Sequence, residues 1–149
     1  MHSSDPPLFR SNEEIAQLVG AFEAGTLASQ EFNHHAHMTV ALWYLSRMPF
    51  ADAVATMRTN IQHFAALHGQ NQLYHETITG FWMRLLRHAL DCADPSAPFA
   101  ELTYNIITTL GSMKFFFRHY SKDRGMAAEA RQRWLEPDLL PLPFRDPST

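Results

Sequence analysis

Six histidines stand near helix starts and ends in this 149-residue chain: His34, His35, His37, His68, His75 and His119. Imidazole is the commonest metal ligand and the one side chain that ordinarily titrates close to neutral pH. Two histidines at i and i+3 on one helix can hold one ion, and a third from another helix completes a facial set. Catalytic zinc uses three such ligands with an open position for water, and iron, nickel and manganese also accept imidazole. The spacing therefore points to a divalent-metal site formed by His34, His37 and His75. Glu76 adjoins His75 in a first helical turn, where the helix dipole favours a carboxylate. It is a candidate fourth ligand, an outer partner of a ligand, or a catalytic base acting on bound water.

Helical phase sorts the histidines. With about 100° per residue, His34 and His37 lie about 60° apart, on the side of Ala41 and Tyr44. His35 falls on a stripe with Thr39 and Ser46 and is expected to meet solvent. His75 precedes Ile78 by three residues and Trp82 by seven, so it extends a buried stripe. His68 continues Ile61 and Phe64 inward, and the dipole at a helix C-terminus accounts for it. His63 groups with Thr56, Thr59 and Asn60, and His88 with Arg84, Arg87 and Asp91; both groups face outward.

These residues need helices to hold them. Ser11 with Glu14 reads as a capping box opening a first helix that Gly25 closes. A second starts after Asn33 and stops before Pro49. A third carries Phe50, Val54, Met57, Ile61 and Phe64, and Gly69 ends it. A fourth runs from His75 to about Asp91. A long fifth is expected from Phe99 through Leu110, Met113 and Phe117 to Tyr120, with Gly111 marking a bend or close packing. A short sixth covers about Met126 to Leu135. Residues 136–149 are too proline-rich for helix and are expected to form an extended strap, with Leu139, Leu140 and Leu142 laid on the bundle. Residues 1–10 are expected to be flexible.

The fold class is all-α: one domain over residues 1–149, an up-and-down bundle of five to six helices. Short joins near residues 48 and 70 make the second, third and fourth helices antiparallel in turn. The starts of the second and fourth then share a layer with the end of the third, and His34, His37 and His75 meet there. Lys114 and His119 arrive at the same end on the fifth helix.

Composition narrows the function. The net charge of −3 with mixed signs recommends neither nucleic acid nor a membrane surface. The apolar runs are too short to span a bilayer, and the N-terminus lacks the pattern of a signal peptide. A cytoplasmic location is the expectation. Cys92 is the single cysteine, which excludes an internal disulfide and any cysteine-based zinc motif. Tyr44 and Tyr74 are candidates to orient a substrate.

Three stretches, Phe32-Asn33-His34-His35-Ala36-His37-Met38, Tyr74-His75-Glu76-Thr77-Ile78-Thr79 and Pro137-Asp138-Leu139-Leu140-Pro141-Leu142-Pro143, together resemble a family of small bacterial helical proteins. That family's pattern is a His-x-Ala-His helix start, a Tyr-His-Glu-Thr-Ile-Thr segment and a closing Pro-Asp-Leu-x-Pro-Leu-Pro. The resemblance covers most of residues 30 to 143. It implies His34, His37, His75 and Glu76 as matched positions, with His35 in the variable slot, and brings no activity with it. A weaker, architectural likeness is to DinB-type thiol-dependent metalloenzymes, four-helix bundles with a three-histidine metal site. Those place two histidines four apart on a late helix, whereas this chain has them three apart on an early one.

The leading expectation is a metal-dependent enzyme acting on a small molecule. Hydrolytic or lyase-type chemistry fits better than oxygen chemistry, because nothing marks a redox cofactor. The alternative is a metal-free helical module that binds a ligand or a protein partner through pH-sensitive histidines.

Overall fold

The computed structural model describes residues 11–71 and 74–143. The expectations for residues 1–10, and for the strap beyond Pro143, lie outside these. The described residues form eight α-helices and no strand: α1 (Asn12–Ala24), α2 (His34–Leu45), α3 (Phe50–Leu67), α4 (Glu76–Cys92), α5 (Phe99–Leu110), α6 (Lys114–His119), α7 (Lys122–Gly125) and α8 (Ala128–Gln132). Five are long enough to make the bundle, as the sequence leads one to expect. Among the described residues no helix is long and apolar enough to cross a membrane.

Helix boundaries follow local chemistry. The Ser11 side chain accepts from the Glu14 amide at 3.1 Å, and Gly25 closes α1 in the left-handed region at φ 75°. Asn33 caps α2 by accepting from the Ala36 amide at 3.0 Å. Pro49 and Pro98 stand immediately before α3 and α5, where a missing N–H costs nothing.

Helix α2 is the axle. It packs against α1, α3, α4 and α5, and Met38, Thr39, Val40, Ala41 and Leu42 are all buried. A helix apolar all round belongs inside a protein. This corrects the expected polar stripe: Thr39 is fully buried and satisfies its hydroxyl by donating to the His35 carbonyl at 2.8 Å. His35 is accordingly half-buried rather than turned to solvent.

The expected long fifth helix is in fact two. Gly111 ends α5, and the chain turns before α6 begins at Lys114. A Cβ at Gly111 would run into the Ile107 carbonyl, so the turn needs glycine there. The break resets the helical phase: Phe116 is buried and Phe117 exposed, the reverse of an uninterrupted stripe. Phe116 stacks on Tyr120 at 4.6 Å, and both meet Phe81 of α4 edge-on. Burying each such ring contributes about 1.5–3 kcal/mol, enough to outweigh the extra turn a continuous helix would have gained.

The strap exists but is held differently from the expectation. Leu139 and Leu140 are exposed, while Leu135 is buried and Leu142 packs on the core. Polar bonds fasten the segment: Tyr120 donates to the Leu135 carbonyl at 2.6 Å, the Leu139 amide to the His119 carbonyl at 2.9 Å, and the Ser121 amide to Asp138 at 2.8 Å. Trp134 lies over Gly80, close enough that a Cβ on that glycine would collide with the indole.

Candidate functional site

His34 and His37 come together. Both line a partly open cavity of about 350 Å³ between α2, α3, α4 and the turn after α5, together with Met57, Ile61, Trp82 and Met113. The wall is mostly apolar, because α2 and α4 present their buried stripes to it. His37 stacks on Phe32 at 3.8 Å, and His34 meets Trp82 edge-on at 5.1 Å.

Both imidazoles are held neutral. Burial, with help from neighbouring His34, drives His37 down to about 3. Burial also lowers His34, and His35 adds to this, while the Gly111 carbonyl opposes it. Taking a charged imidazolium out of water without a counter-charge is costly, so the neutral ring prevails.

Two of the lining residues each carry a polar atom that is left over. His34 Nε2 and Trp82 Nε1 are buried without a hydrogen-bond partner among the described residues. Trp82 was legible in the sequence only as a core residue of α4. The signal that could have marked it is that a buried indole needs an acceptor for its N–H.

His75 is placed elsewhere. It is the N-cap of α4: Nδ1 accepts from the Ile78 amide at 3.1 Å, and Nε2–H donates to the Gly125 carbonyl at 2.7 Å. Both ring nitrogens are therefore in use, which fixes the tautomer and leaves no lone pair for an ion. The expected set is divided, with two histidines at the cavity and the third engaged as a cap. Among the described residues, no group of three or more His, Cys, Asp or Glu side chains is placed to hold an ion.

Glu76 is likewise committed. Arg58 grips it with two bonds, Nε to Oε1 at 2.9 Å and Nη2 to Oε2 at 2.7 Å, and the Tyr74 hydroxyl donates to Oε1 at 2.6 Å. The guanidinium holds the carboxyl below the usual range, against the opposing effect of burial, and burial pushes the Tyr74 phenol up. An anion so neutralised is a weak base. It borders a shallow polar recess with Arg131, Arg133 and Trp134, not the histidine cavity. Tyr44 is similarly satisfied, donating to Glu23 at 2.5 Å and accepting from Asn60 at 2.9 Å.

The remaining histidines divide by environment. His68 caps α3 with its ring against Phe64 at 4.3 Å. His119 is buried, with Nδ1 at 2.9 Å from the Leu140 carbonyl, and so holds the strap. His63 and His88 are exposed, as their phase implies. Lys114, with Arg118, His35 and Ser112, lines an open cleft of about 870 Å³ that His34 also borders.

The cavity thus combines a mostly apolar lining with the side chains of His34, His37, Thr79 and Trp82. Comparison with family models, with curated proteins and with solved structures finds no match to this chain.

Proposed function

We propose that this chain binds a small, largely apolar molecule in the cavity between α2, α3 and α4, with His34, His37 and Trp82 supplying its polar contacts. The observation that carries this reading is a mostly apolar cavity lined by two residues, His34 and Trp82, that each hold a buried polar atom, Nε2 and Nε1, without a hydrogen-bond partner among the described residues. Buried polar atoms in folded proteins have partners, and a ligand is a natural one where the residues that carry them line a cavity. The volume of about 350 Å³ lies in the range of small-molecule sites.

Titration with octan-1-ol, followed by tryptophan fluorescence and calorimetry, tests the reading. Saturable binding to the natural chain, abolished by Ala41→Phe on the cavity wall, is the expected result. Binding that survives the filled cavity would place the ligand elsewhere and reject the proposal.

A metal ion is the second reading, favoured by two neutral imidazoles on one cavity. His34 and His37 would hold it, and the bound ion would supply Lewis acidity. The thioethers of Met38, Met57, Met83 and Met113 line the same space and suit a soft ion better than a hard one. Elemental analysis of untagged protein against the His34→Ala/His37→Ala variant decides it. Equal metal content in the two proteins would remove this reading.

A further inference from the structure

His34 lines two compartments of different character: the mostly apolar cavity, and the more polar open cleft lined also by His35, Ser112, Lys114 and Arg118. The turn after Gly111 divides its residues between them, with Met113 on the inner wall and Lys114 on the outer. The cleft lining includes two permanent cations and no carboxylate. Arg118 is steadied there by lying over the Phe115 ring at 4.9 Å. His35 adds a buried Nδ1 with no hydrogen-bond partner among the described residues.

We propose that the ligand is an anionic amphiphile, a molecule with an apolar body and a carboxylate or phosphate head. The body occupies the inner cavity, and the head emerges past His34 to lie between Lys114 and Arg118. This rests on the reading that the cavity binds a small apolar molecule, and it adds the chemical class. Neither compartment alone selects such a ligand. The cavity takes any apolar group of the right size, and exposed cations attract any anion only weakly in water. Joined through His34, they discriminate against a neutral molecule at one end and a purely ionic one at the other.

The test compares octanoate, octyl phosphate, octan-1-ol and acetate by tryptophan fluorescence and calorimetry. At least one of the two anionic amphiphiles should bind tenfold or more tightly than octan-1-ol, with acetate undetectable. The tighter of the two identifies the head group. Lys114→Gln/Arg118→Gln, both at exposed positions, should erase that advantage while leaving octan-1-ol affinity unchanged. Equal affinity for the alcohol and both anions would overturn the inference and leave the apolar cavity as the binding site. An anionic advantage that survives the double substitution would overturn the assignment of the cleft. If no eight-carbon probe binds, the cavity reading itself falls and this inference falls with it.

Discussion

The first turn of α2 and the first turn of α4 start from similar material, histidine beside polar residues at a helix entrance, and end in opposite conditions. At α4 three successive polar side chains are spoken for: His75 bonds through both nitrogens, Glu76 is clasped by Arg58 and Tyr74, and the Thr77 hydroxyl donates to the Arg133 carbonyl at 2.7 Å. At α2, Asn33 does the capping, so the histidines that follow are released from that duty. His34 keeps a buried nitrogen without a partner, and His37 lies against Phe32 on the cavity wall. The same residue type is scaffold in one turn and lines a cavity in the other. What separates them is which neighbour supplies the cap.

Substitution at the two entrances tests that contrast. The largest effect on stability belongs to His75→Ala. It removes a cap and leaves the Gly125 carbonyl buried without its donor, a loss of about 2–4 kcal/mol. Urea unfolding reads the loss, and octan-1-ol affinity of the folded fraction should be unchanged. A variant as stable as the natural chain would show that the two entrances are not different in kind.

Acid tests the other entrance. A histidine whose folded value is depressed binds its proton more readily when unfolded. His37 therefore contributes fully above the ordinary histidine value of about 6.5, and its contribution is lost as pH falls toward 3. Stability should drop below about pH 6.5 with a slope approaching about 1.4 kcal/mol per pH unit from this group alone. His34 and His75 are lowered in the same direction. Melting curves of His37→Phe between pH 7.5 and 4.5 should be flatter than those of the natural chain, but not flat. Parallel curves would mean that His37 meets water more freely than its setting implies.

His34→Ala should leave stability within about 1 kcal/mol, since the ring gives up an edge contact with Trp82 and the Gly111 carbonyl while relieving a buried Nε2 that has no partner. It should weaken ligand binding at least tenfold, about 1.4 kcal/mol, as measured by calorimetry. Strong destabilisation with intact binding would turn the comparison around. The smallest effect belongs to Glu76→Gln. It weakens a partly exposed ion pair, at a cost of about 1 kcal/mol in chemical unfolding at neutral pH. Because the carboxyl is depressed, that contribution exists above the ordinary carboxylate range and disappears as acid protonates the group, so the two proteins should converge at low pH.

Much of this was legible in the sequence. The three-four spacing of α3 and α4, Ser11, Asn33, Gly25 and the prolines marked the main helices, and the inward placement of His34, His37 and His75 followed from phase. Two things were not legible. The first was that α2 has no solvent side, because Thr39 can bury its hydroxyl against its own helix, and a polar residue so satisfied looks on paper like a surface residue. The second was the job of His75. A cap is recognised by what accepts and donates around it, and its partner at Gly125 is 50 residues away in sequence. Gly111 carried a signal for the break, yet its spacing was also compatible with a bend. The choice was made by Phe116 and Tyr120 finding Phe81.

The start of α4 also sets an order in time. Its closing partners come late in the chain: the Gly125 carbonyl for His75, the Arg133 carbonyl and the Leu135 amide for Thr77, and the Trp134 ring over Gly80. A chain emerging from a ribosome can build α1 to α3 from local contacts, but one wall of the cavity stays unclamped until the segment from Gly125 to Leu135 has been made. Limited proteolysis of stalled chains should register the change, with cleavage near Glu76 persisting in those halted before Gly125 and fading in those that extend past Leu135. The proposed binding site is thus among the last parts of this bundle to become rigid, although the histidines that line it are synthesised well before the segment that clamps it.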